Sequence, residues 1–307
     1  MKARRESVTV RVPGSTSNCG AGFDTLGLAL TVYNRVTLTR VAEPAAVVGQ
    51  PTPARGDDAR AQPLVASAAA AFFRETGRPA EAFQFRIDGD VPPARGLGSS
   101  ATIIIGVLAG LEALHDVGLS REKIAALGTA LEGNPDNASP CTLGGFTVSR
   151  CDPRDGAYRD TIRFTVPAEV VFVVASQAME MATKAARAIL PGTVPFFDAA
   201  KSINSAAYVV AAFASGDWDK LRHAAGDFMH EPYRLPRIPG AAEAIRAGGA
   251  AGALTGWLSG SGSSVLCVTR PEQAPAVATA MRAGFSQADV AGEVRTLAAD
   301  NRGFSLE

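Results

Sequence analysis

Cysteine is scarce in this chain. The 307 residues include four cysteines, and no two of them stand in a C-x-x-C or other paired spacing. A disulfide framework and a structural zinc site both need such spacings. The scarcity favours a protein with reduced thiols, and we expect four cysteine side chains to pack in the interior: Cys19, Cys141, Cys151 and Cys267.

Excess charge of one sign is lacking as well. The 30 basic residues balance 30 acidic ones, and the longest basic run is the pair Arg4 and Arg5. Proteins that bind nucleic acid carry a basic face that neutralises phosphate charge. We therefore expect no nucleic acid among the partners of this chain.

A long hydrophobic run is also missing. The longest apolar stretch, residues 101–114, is shorter than the roughly 20 residues that a helix needs to cross a bilayer. The N-terminal sequence MKARRESVTVRV passes from charged residues directly into alternation, without the apolar segment of a signal peptide. These features predict a cytoplasmic protein that has no membrane partner.

What the chain does have is the composition of a folded globular protein. It is 47% hydrophobic and 20% charged, and it is long enough for two packed domains. Alternation and apolar runs predict strands at 7–12, 30–41, 83–87, 144–149, 162–166, 170–175 and 292–298, with a glycine-rich strand region at 252–269. Helical spacing predicts helices at 64–75, 99–115, 120–131, 182–190, 196–215, 217–229, 239–247 and 272–283.

The order of these elements predicts the fold class. Strands and helices do not alternate strictly, which is typical of a mixed α+β fold. The dipeptide at 13–14, Pro-Gly, predicts the end of the first strand, and the turn residues of 133–140 predict a loop. We place one domain at 1–165 and a second at 166–307.

The most informative segment is PPARGLGSSAT at 92–102, which places a glycine-serine loop directly before a buried helix. Glycine tolerates positive φ and lets the backbone approach a ligand, and N–H groups at a helix N-terminus attract anions. The segment therefore predicts a phosphate cradle. For such a loop alone, the alternative is a serine-capped helix after a glycine turn.

Two further segments accompany this loop, PGSTSNCGAGFDTLGLAL at 13–30 and LSGSGSSVLCV at 258–268. In order and spacing, the three segments resemble the motifs of the superfamily of galactokinase, homoserine kinase, mevalonate kinase and phosphomevalonate kinase, the GHMP kinases. Within this superfamily the chain resembles the homoserine kinase family along nearly its whole length. The additional matches are EGNPDNASPCTLGG (132–145), TKAARAILP (183–191) and HEPYRLPRIPG (230–240).

The resemblance implies a fold and an activity. It implies an N-terminal domain similar to the second domain of ribosomal protein S5, a ferredoxin-like C-terminal domain, and an active site in the cleft between them. It also implies that ATP, with Mg²⁺, phosphorylates the side-chain hydroxyl of L-homoserine to O-phospho-L-homoserine, a step of threonine biosynthesis. A homodimer is a further expectation.

The resemblance also implies nucleotide and metal ligands. The ATP-binding set is Pro93, Arg95, Gly96, Leu97, Gly98, Ser99 and Ser100, and the magnesium ligands are Ser99 or Ser100 with Glu132. A hydroxyl and a carboxylate suit Mg²⁺, which takes one or two protein oxygens besides phosphates and waters. The alternative for Glu132 is a solvated residue at a helix C-terminus, where its charge opposes the helix dipole.

An amino-acid substrate needs sites for its carboxylate and its ammonium. Arg187 and Arg234 are the candidates for the carboxylate, because a guanidinium can donate two hydrogen bonds to it. The ammonium requires oxygen acceptors, for which the candidates are Asn18, Asp24 and Asp136. The alternative for each of the latter is hydrogen bonding within a turn.

Catalysis is expected without a strong base. Other superfamily members place an aspartate near the phosphoacceptor, whereas the homoserine kinase pattern has asparagine, which Asn137 matches. Positioning and neutralisation of phosphate charge supply most of the acceleration of phosphoryl transfer. Asn137 and Thr183 are expected to orient the substrate hydroxyl, with Arg187 touching both substrate and phosphate.

The chain departs from the family pattern in three places. Asn134, in the predicted substrate site, replaces the usual histidine and cannot become cationic. Pro63 replaces an asparagine near the adenine and removes one polar contact. The third motif reads SGSGSS where the family usually has SGAGPT, but it keeps the glycines that set the backbone.

Three rival functions fit the sequence less well. A superfamily kinase for another small hydroxylated substrate fits less well, because Arg187, Arg234 and Asn137 match the homoserine kinase pattern. A non-catalytic nucleotide sensor would be favoured by loss of Glu132 or of the loop glycines, which are all present. A serine hydrolase lacks its G-x-S-x-G motif.

Overall fold

The computed structural model describes residues 5–41, 51–181, 183–224 and 226–307, and it confirms the mixed α+β pattern. Its strands are β1 (Ser7–Ser17), β2 (Leu26–Arg40), β3 (Thr52–Pro53), β4 (Phe83–Gly89), β5 (Phe146–Cys151), β6 (Tyr158–Phe164), β7 (Val171–Gln177), β8 (Thr255–Leu258), β9 (Ser264–Thr269), β10 (Gly292–Leu297) and β11 (Ser305–Leu306). Its helices are α1 (Gln62–Thr76), α2 (Ser99–His115), α3 (Arg121–Glu132), α4 (Pro135–Leu143), α5 (Thr183–Ala188), α6 (Phe196–Ser215), α7 (Glu231–Arg234), α8 (Ala241–Ala250) and α9 (Ala274–Ser286). Three residues used in the sequence predictions, Arg4, Ala182 and Ala225, lie outside the described residues.

The predicted helix bounds are confirmed most closely where the sequence carries an end signal. Helices α2 and α6 have the predicted bounds, and both end before a residue with positive φ, Asp116 and Gly216. Helix α3 follows Ser120, whose hydroxyl accepts the Lys123 N–H at 3.2 Å, as expected of an N-cap. Local capping chemistry therefore fixes these ends.

The prediction of a loop at 133–140 is wrong, because α4 occupies most of it. Asn134 is the extended N-cap, and Pro135 is the first helical residue. Proline suits this position because an N–H there would have no partner within the helix, and because its φ is already helical. Turn-forming residues therefore start a helix here. The helix is mostly buried against the first sheet.

The predicted helix at 217–229 is also wrong. A 3₁₀ helix covers only Trp218–His223, and Gly226 then adopts φ 111°. The Asp227 carboxylate accepts the backbone N–H groups of Met229 (3.0 Å), His230 (2.7 Å) and Glu231 (2.7 Å). A carboxylate that accepts three N–H groups stabilises a turn and starts the short α7 instead of continuing a helix.

The first strand continues beyond the predicted end at residues 13–14. A register shift occurs there, and Ser15, Thr16 and Ser17 then pair with Ala29, Leu28 and Gly27 of β2. A bulge of this kind bends a strand without ending it. The segment that the sequence assigned to a loop therefore begins as a rigid strand that carries polar side chains.

Two sheets organise the described chain. The first has seven strands in the order β11-β1-β2-β4-β3, with β5 paired to β2 and β6 paired to β5. The second has four antiparallel strands in the order β10-β7-β9-β8. Helices α1 and α2 pack on the first sheet, and α8 and α9 pack on the second.

The two sheets share a hydrophobic core. Leu28 and Leu30 of the first sheet belong to the same buried cluster as Val174 and Leu266 of the second. The fully buried indole of Trp257 lies in this cluster and donates to Thr16 Oγ1 at 3.1 Å. This packing fixes the position of one sheet against the other.

The chain end returns to the first sheet. Ala299 forms an isolated bridge with Leu30, and β11 pairs with β1. The division into domains at residues 165 and 166 stays a prediction. In the part of the chain that the structure describes, no helix is both long and apolar enough to traverse a bilayer.

The cysteines are free, and Cys19, Cys141 and Cys267 are buried in the hydrophobic clusters, as expected. Cys151 lies at the end of β5 and is half-buried, so the packing expectation holds for it only in part. Burial raises the pKa of the Cys141 and Cys267 thiols to about 12, so both are neutral packing groups.

Candidate active site

A cavity of about 470 Å³ lies where the predicted motifs meet. Its wall combines the loop before α2, the loop between β1 and β2, the start of α4, and residues from α5 and α7. Predicted site residues that line it are Asn18, Asp24, Pro93, Gly96, Gly98, Ser99, Ser100, Glu132, Asn134, Asp136, Asn137, Thr183, Arg187 and Arg234. The fold therefore brings distant segments to one place.

The glycine-serine loop is held tightly against the third motif. Gly96 and Gly98 have φ values of 75° and 69°, and a Cβ at Gly98 would overlap the hydroxyl of Ser15. The Gly96 carbonyl accepts the Ser259 hydroxyl at 2.7 Å, and the Leu97 carbonyl accepts the Ser15 N–H at 3.1 Å. Only glycine fits both the conformation and the space, so the loop is a preformed cradle at the N-terminus of α2.

Two residues of the predicted ATP-binding set do not line the cavity. The Leu97 side chain is buried in the core that the sheets share. The Arg95 carbonyl accepts the N–H of Ser264 at 3.2 Å, which ties the loop to β9. In this arrangement both residues hold the loop in place.

Ser100 and Glu132 form the candidate cation site. The Ser100 hydroxyl donates to Glu132 Oε2 at 3.0 Å, and Ser99 lies beside it on the cavity wall. Burial raises the pKa of the Glu132 carboxyl, while the hydrogen bond from Ser100 lowers it. The donor set, two hydroxyls and a carboxylate beside a phosphate cradle, fits a hard cation such as Mg²⁺.

Arg187 and Asp24 form an ion pair at the cavity wall. Arg187 Nη1 and Nη2 lie 2.9 and 2.6 Å from the two oxygens of Asp24. The hydrogen bond with Asp24 raises the pKa of Arg187, so this side chain is a permanent cation. Asp24 has φ 53°, and its carboxylate contacts α5 through Arg187.

Asp136 is the buried carboxyl of the site. Burial, with the nearby charge of Asp24, raises its pKa to about 8, and Arg187 opposes this shift. With its amide oxygen toward Arg187, Asn134 donates to Asp136 Oδ1 at 2.8 Å. A cation that enters the site would lower this pKa and favour the ionised carboxylate.

Asn137 is oriented by two serines of β1. The Ser15 hydroxyl donates to Asn137 Oδ1 at 2.9 Å, and Asn137 Nδ2 donates to Ser17 Oγ at 3.1 Å. The amide is therefore fixed by the bulged part of β1. Thr183, the first residue of α5, is exposed on the cavity wall.

Arg234 is buried behind Arg187. Its Nε donates to the Ala186 carbonyl at 3.2 Å, and its Nη1 donates to the Gly260 carbonyl at 3.2 Å. Asn18 Nδ2 donates to the same Gly260 carbonyl at 3.2 Å. Burial lowers the pKa of Arg234, and the neighbouring charge of Arg187 lowers it further.

Sequence reasoning missed several residues of the site. The sequence predicts a loop at Ser15 and Ser17 and assigns no role to Phe23, whereas in the structure Ser17 and Phe23 line the cavity. Strand pairing with β2 continues past the bulge, but residues 15–17 are all polar and follow a Pro-Gly dipeptide, so no alternation in the sequence indicates a strand there.

Comparisons with known proteins agree with this geometry. Residues 63–145 match the GHMP kinases N terminal domain, and residues 209–287 match the GHMP kinases C terminal domain. A homoserine kinase of Moorella thermoacetica is 39% identical over 297 residues, which are 96% of this chain and 98% of the relative. A homoserine kinase of a Synechocystis species is 34% identical over 98% of each chain.

Solved structures have the same fold. The crystal structure of homoserine kinase from Cytophaga hutchinsonii is 25% identical, covers 100% of this chain and 99% of its own, and superimposes with a TM-score of 0.88. The mevalonate kinase of L. major, solved in complex with R-mevalonate, shares the fold with a TM-score of 0.68 at 15% identity, over 95% of each chain. The chain therefore has the GHMP kinase fold and belongs to the homoserine kinase family of the GHMP kinases.

Proposed function

We propose that this protein transfers the γ-phosphoryl group of ATP to the side-chain hydroxyl of L-homoserine, giving O-phospho-L-homoserine and ADP. One observation carries the proposal. The same cavity is lined by a glycine cradle at a helix N-terminus and by two arginines among acidic side chains. These are the complements of a polyphosphate and of an amino acid, and the relatives named above are homoserine kinases.

The transfer is a single displacement. The hydroxyl oxygen of homoserine forms a bond to the γ-phosphorus, the bond from that phosphorus to the β–γ bridging oxygen breaks, and ADP leaves with the electron pair. The hydroxyl proton is released to water. Such a reaction depends mainly on alignment and on neutralising phosphate charge.

The arginine side of the cavity would bind the amino-acid end of homoserine. Arg187 and Arg234 would take the carboxylate, because two guanidinium groups lie together there. Asn18, Asp24 and Asp136 would accept hydrogen bonds from the ammonium. Asn134 lies between Asp136 and Arg187. Its neutral amide would contact both the ammonium site and the carboxylate site without adding a charge to either.

The hydroxyl end would lie near Asn137 and Thr183. The two serines that hold Asn137 leave its amide in one orientation, so it can position a hydroxyl but is too weak a base to remove a proton. Thr183 lies in the same helix as Arg187, and both residues line the cavity. We infer direct in-line transfer without a strong catalytic base.

ATP is the phosphoryl donor of this kinase family, and we propose that its triphosphate lies on the loop from Pro93 to Ser100. Ser99 or Ser100, with Glu132, would hold Mg²⁺, since their oxygens meet beside the cradle. When bound, the ion neutralises phosphate charge. The backbone N–H groups at the start of α2 carry partial positive charge and would stabilise the same phosphate charge.

The test is ADP release by purified protein with ATP and Mg²⁺, in which L-homoserine is compared with L-threonine, L-serine, mevalonate and no acceptor. Selective turnover of homoserine that collapses in Arg234→Ala supports the proposal. Arg237→Ala, an exposed arginine three residues away, is the matched control and is expected to keep its activity.

Two other outcomes reject it. Selective turnover of a different acceptor assigns another small hydroxylated substrate to this site. ATP binding without turnover of any acceptor assigns a nucleotide sensor. A homodimer and a cytoplasmic location stay predictions of the sequence, which sedimentation and cell fractionation test.

A further inference from the structure

Phe23 contacts both arginines of the cavity. The ring is half-buried in the loop between β1 and β2 and forms part of the cavity wall. The Arg234 and Arg187 guanidinium carbons lie 5.3 and 5.4 Å from its centroid. Both distances are within the range of about 6 Å over which an aromatic face attracts a cation.

The ring meets an electrostatic need. Arg187 and Arg234 repel each other, and the pKa of Arg234, lowered first by burial, is lowered further by Arg187. Arg187 has the carboxylate of Asp24 as a partner. Arg234 donates to two backbone carbonyls and forms no ion pair within the described residues. The charges of Asp24 and Asp136 raise the pKa of both arginines, and the negative face of Phe23 is an uncharged group that lies within cation–π distance of both.

We propose that Phe23 is a positioning residue that aligns Arg187 and Arg234 to receive the carboxylate of the amino-acid substrate. This inference rests on the proposed function. The ring acts through the two guanidinium groups, which it keeps near each other and directed into the cavity. It predicts that the electrostatic character of the ring, beyond its volume, sets the affinity for the substrate.

His230 fixes the ring in place. Its imidazole lies 5.2 Å from the Phe23 centroid and is fully buried. Burial lowers the pKa of His230, so the imidazole is neutral, and as a donor its Nε2 binds the Gly20 carbonyl at 2.9 Å. The Asp227 carboxylate holds the backbone of His230 in turn. A neutral imidazole supports Phe23 without adding a third cation.

The test replaces Phe23 by phenylalanines carrying one to three fluorines, and separately by leucine. Fluorine withdraws charge from the ring face while keeping its shape, so the Kd of L-homoserine, measured by calorimetry, should rise with each fluorine. Phe23→Leu should raise the KM for homoserine about tenfold, from the loss of two cation–π contacts. The kcat and the Kd of ATP should stay near the wild-type values.

The matched control is Phe304→Leu. Its ring carries the Arg121 guanidinium at 4.2 Å, and Phe304 does not line the cavity. We expect this variant to lower the melting temperature without changing the Kd of homoserine. If Phe23→Leu does not fold, the fluorinated series carries the test, because its rings fill the same space.

Two results overturn the inference. The first is a Kd of homoserine that does not change with fluorination of Phe23, or that changes by the same factor in Phe23→Leu and Phe304→Leu. In that case the Phe23 ring acts only by packing. This outcome leaves the proposed function intact when the wild-type protein phosphorylates homoserine. If the wild-type protein binds ATP but neither binds nor phosphorylates homoserine, the proposed function fails, and the inference fails with it.

Discussion

Arg187 and Asp24 form a two-pronged ion pair at the cavity wall, with nitrogen–oxygen distances of 2.9 and 2.6 Å. The two residues are 163 positions apart in the chain, and their side chains are 38% and 32% exposed. Since solvent screens such a pair, its contribution to folding stability is small. The main effect of the pair is to hold the Arg187 guanidinium in one orientation, in which it would contact the substrate.

Removing the charge of Asp24 should therefore impair substrate binding more than stability. A charge-assisted hydrogen bond is worth about 1.5–3 kcal/mol, so Asp24→Asn should lower kcat/KM for homoserine by about 10- to 100-fold. Steady-state kinetics test this. Asp198→Asn, which breaks an exposed pair with Lys201, should leave kcat/KM unchanged. Equal effects of both variants would contradict the expectation.

Replacing Gly98 should abolish the cradle. Gly98 has φ 69°, and a Cβ would overlap Ser15, so Gly98→Ala should weaken ATP binding by more than about tenfold. Gly77 has φ 64° but no atom within 4 Å of an added Cβ. Gly77→Ala is therefore the control, with a stability loss of about 1 kcal/mol and unchanged ATP binding by calorimetry. Wild-type ATP affinity in Gly98→Ala would refute this role of the loop.

Removing the charge of Glu132 should change the dependence on Mg²⁺. In Glu132→Gln, the Mg²⁺ concentration for half-maximal activity should rise about tenfold or more, because a neutral amide is a weaker ligand than a carboxylate. A titration of ATP affinity against Mg²⁺ gives an independent measurement. Glu122→Gln, at an exposed position in the same helix, is the control. If the two variants have the same Mg²⁺ dependence, Glu132 is not a ligand.

Asp136 should make stability depend on pH. Burial and Asp24 raise its pKa from 3.8 to about 8, so the folded chain keeps a proton that the unfolded chain releases near pH 3.8. Between these values the native state binds more protons, and the free energy of unfolding falls as pH rises. Asp136→Asn should remove this contribution. The free energy of unfolding, measured by urea denaturation, should therefore fall less between pH 4 and about pH 8 in this variant than in wild type.

The comparison needs a control because other groups titrate in the same range. Burial also raises the pKa of Glu231 to about 7, and this group is unchanged in the variant. Asp160→Asn, at an exposed position, should retain the wild-type decline. A parallel decline in wild type and Asp136→Asn would show that Asp136 is ionised in the free protein at neutral pH.

Local sequence determined much of the fold. Helices α2 and α6 follow from apolar spacing and end signals that act within a few residues, and their bounds agree with the prediction. The glycine-serine loop is also determined locally, because its glycines permit positive φ and its serines begin the helix. Most of the predicted site residues line one cavity. They are predicted from the family motifs, because hydrophobic periodicity alone does not indicate which residues form a site.

Only the tertiary structure decided the rest. Asp227 stops a predicted helix by accepting three N–H groups, and a bulge in β1 brings Ser15 to Asn137 across 122 positions. The raised pKa of Asp136 and the closeness of Arg187 to Arg234 exist only because several separate segments pack around the cavity. Sequence determined the elements and the residue types, whereas solvent exclusion and the distances between charges exist only after these segments pack together.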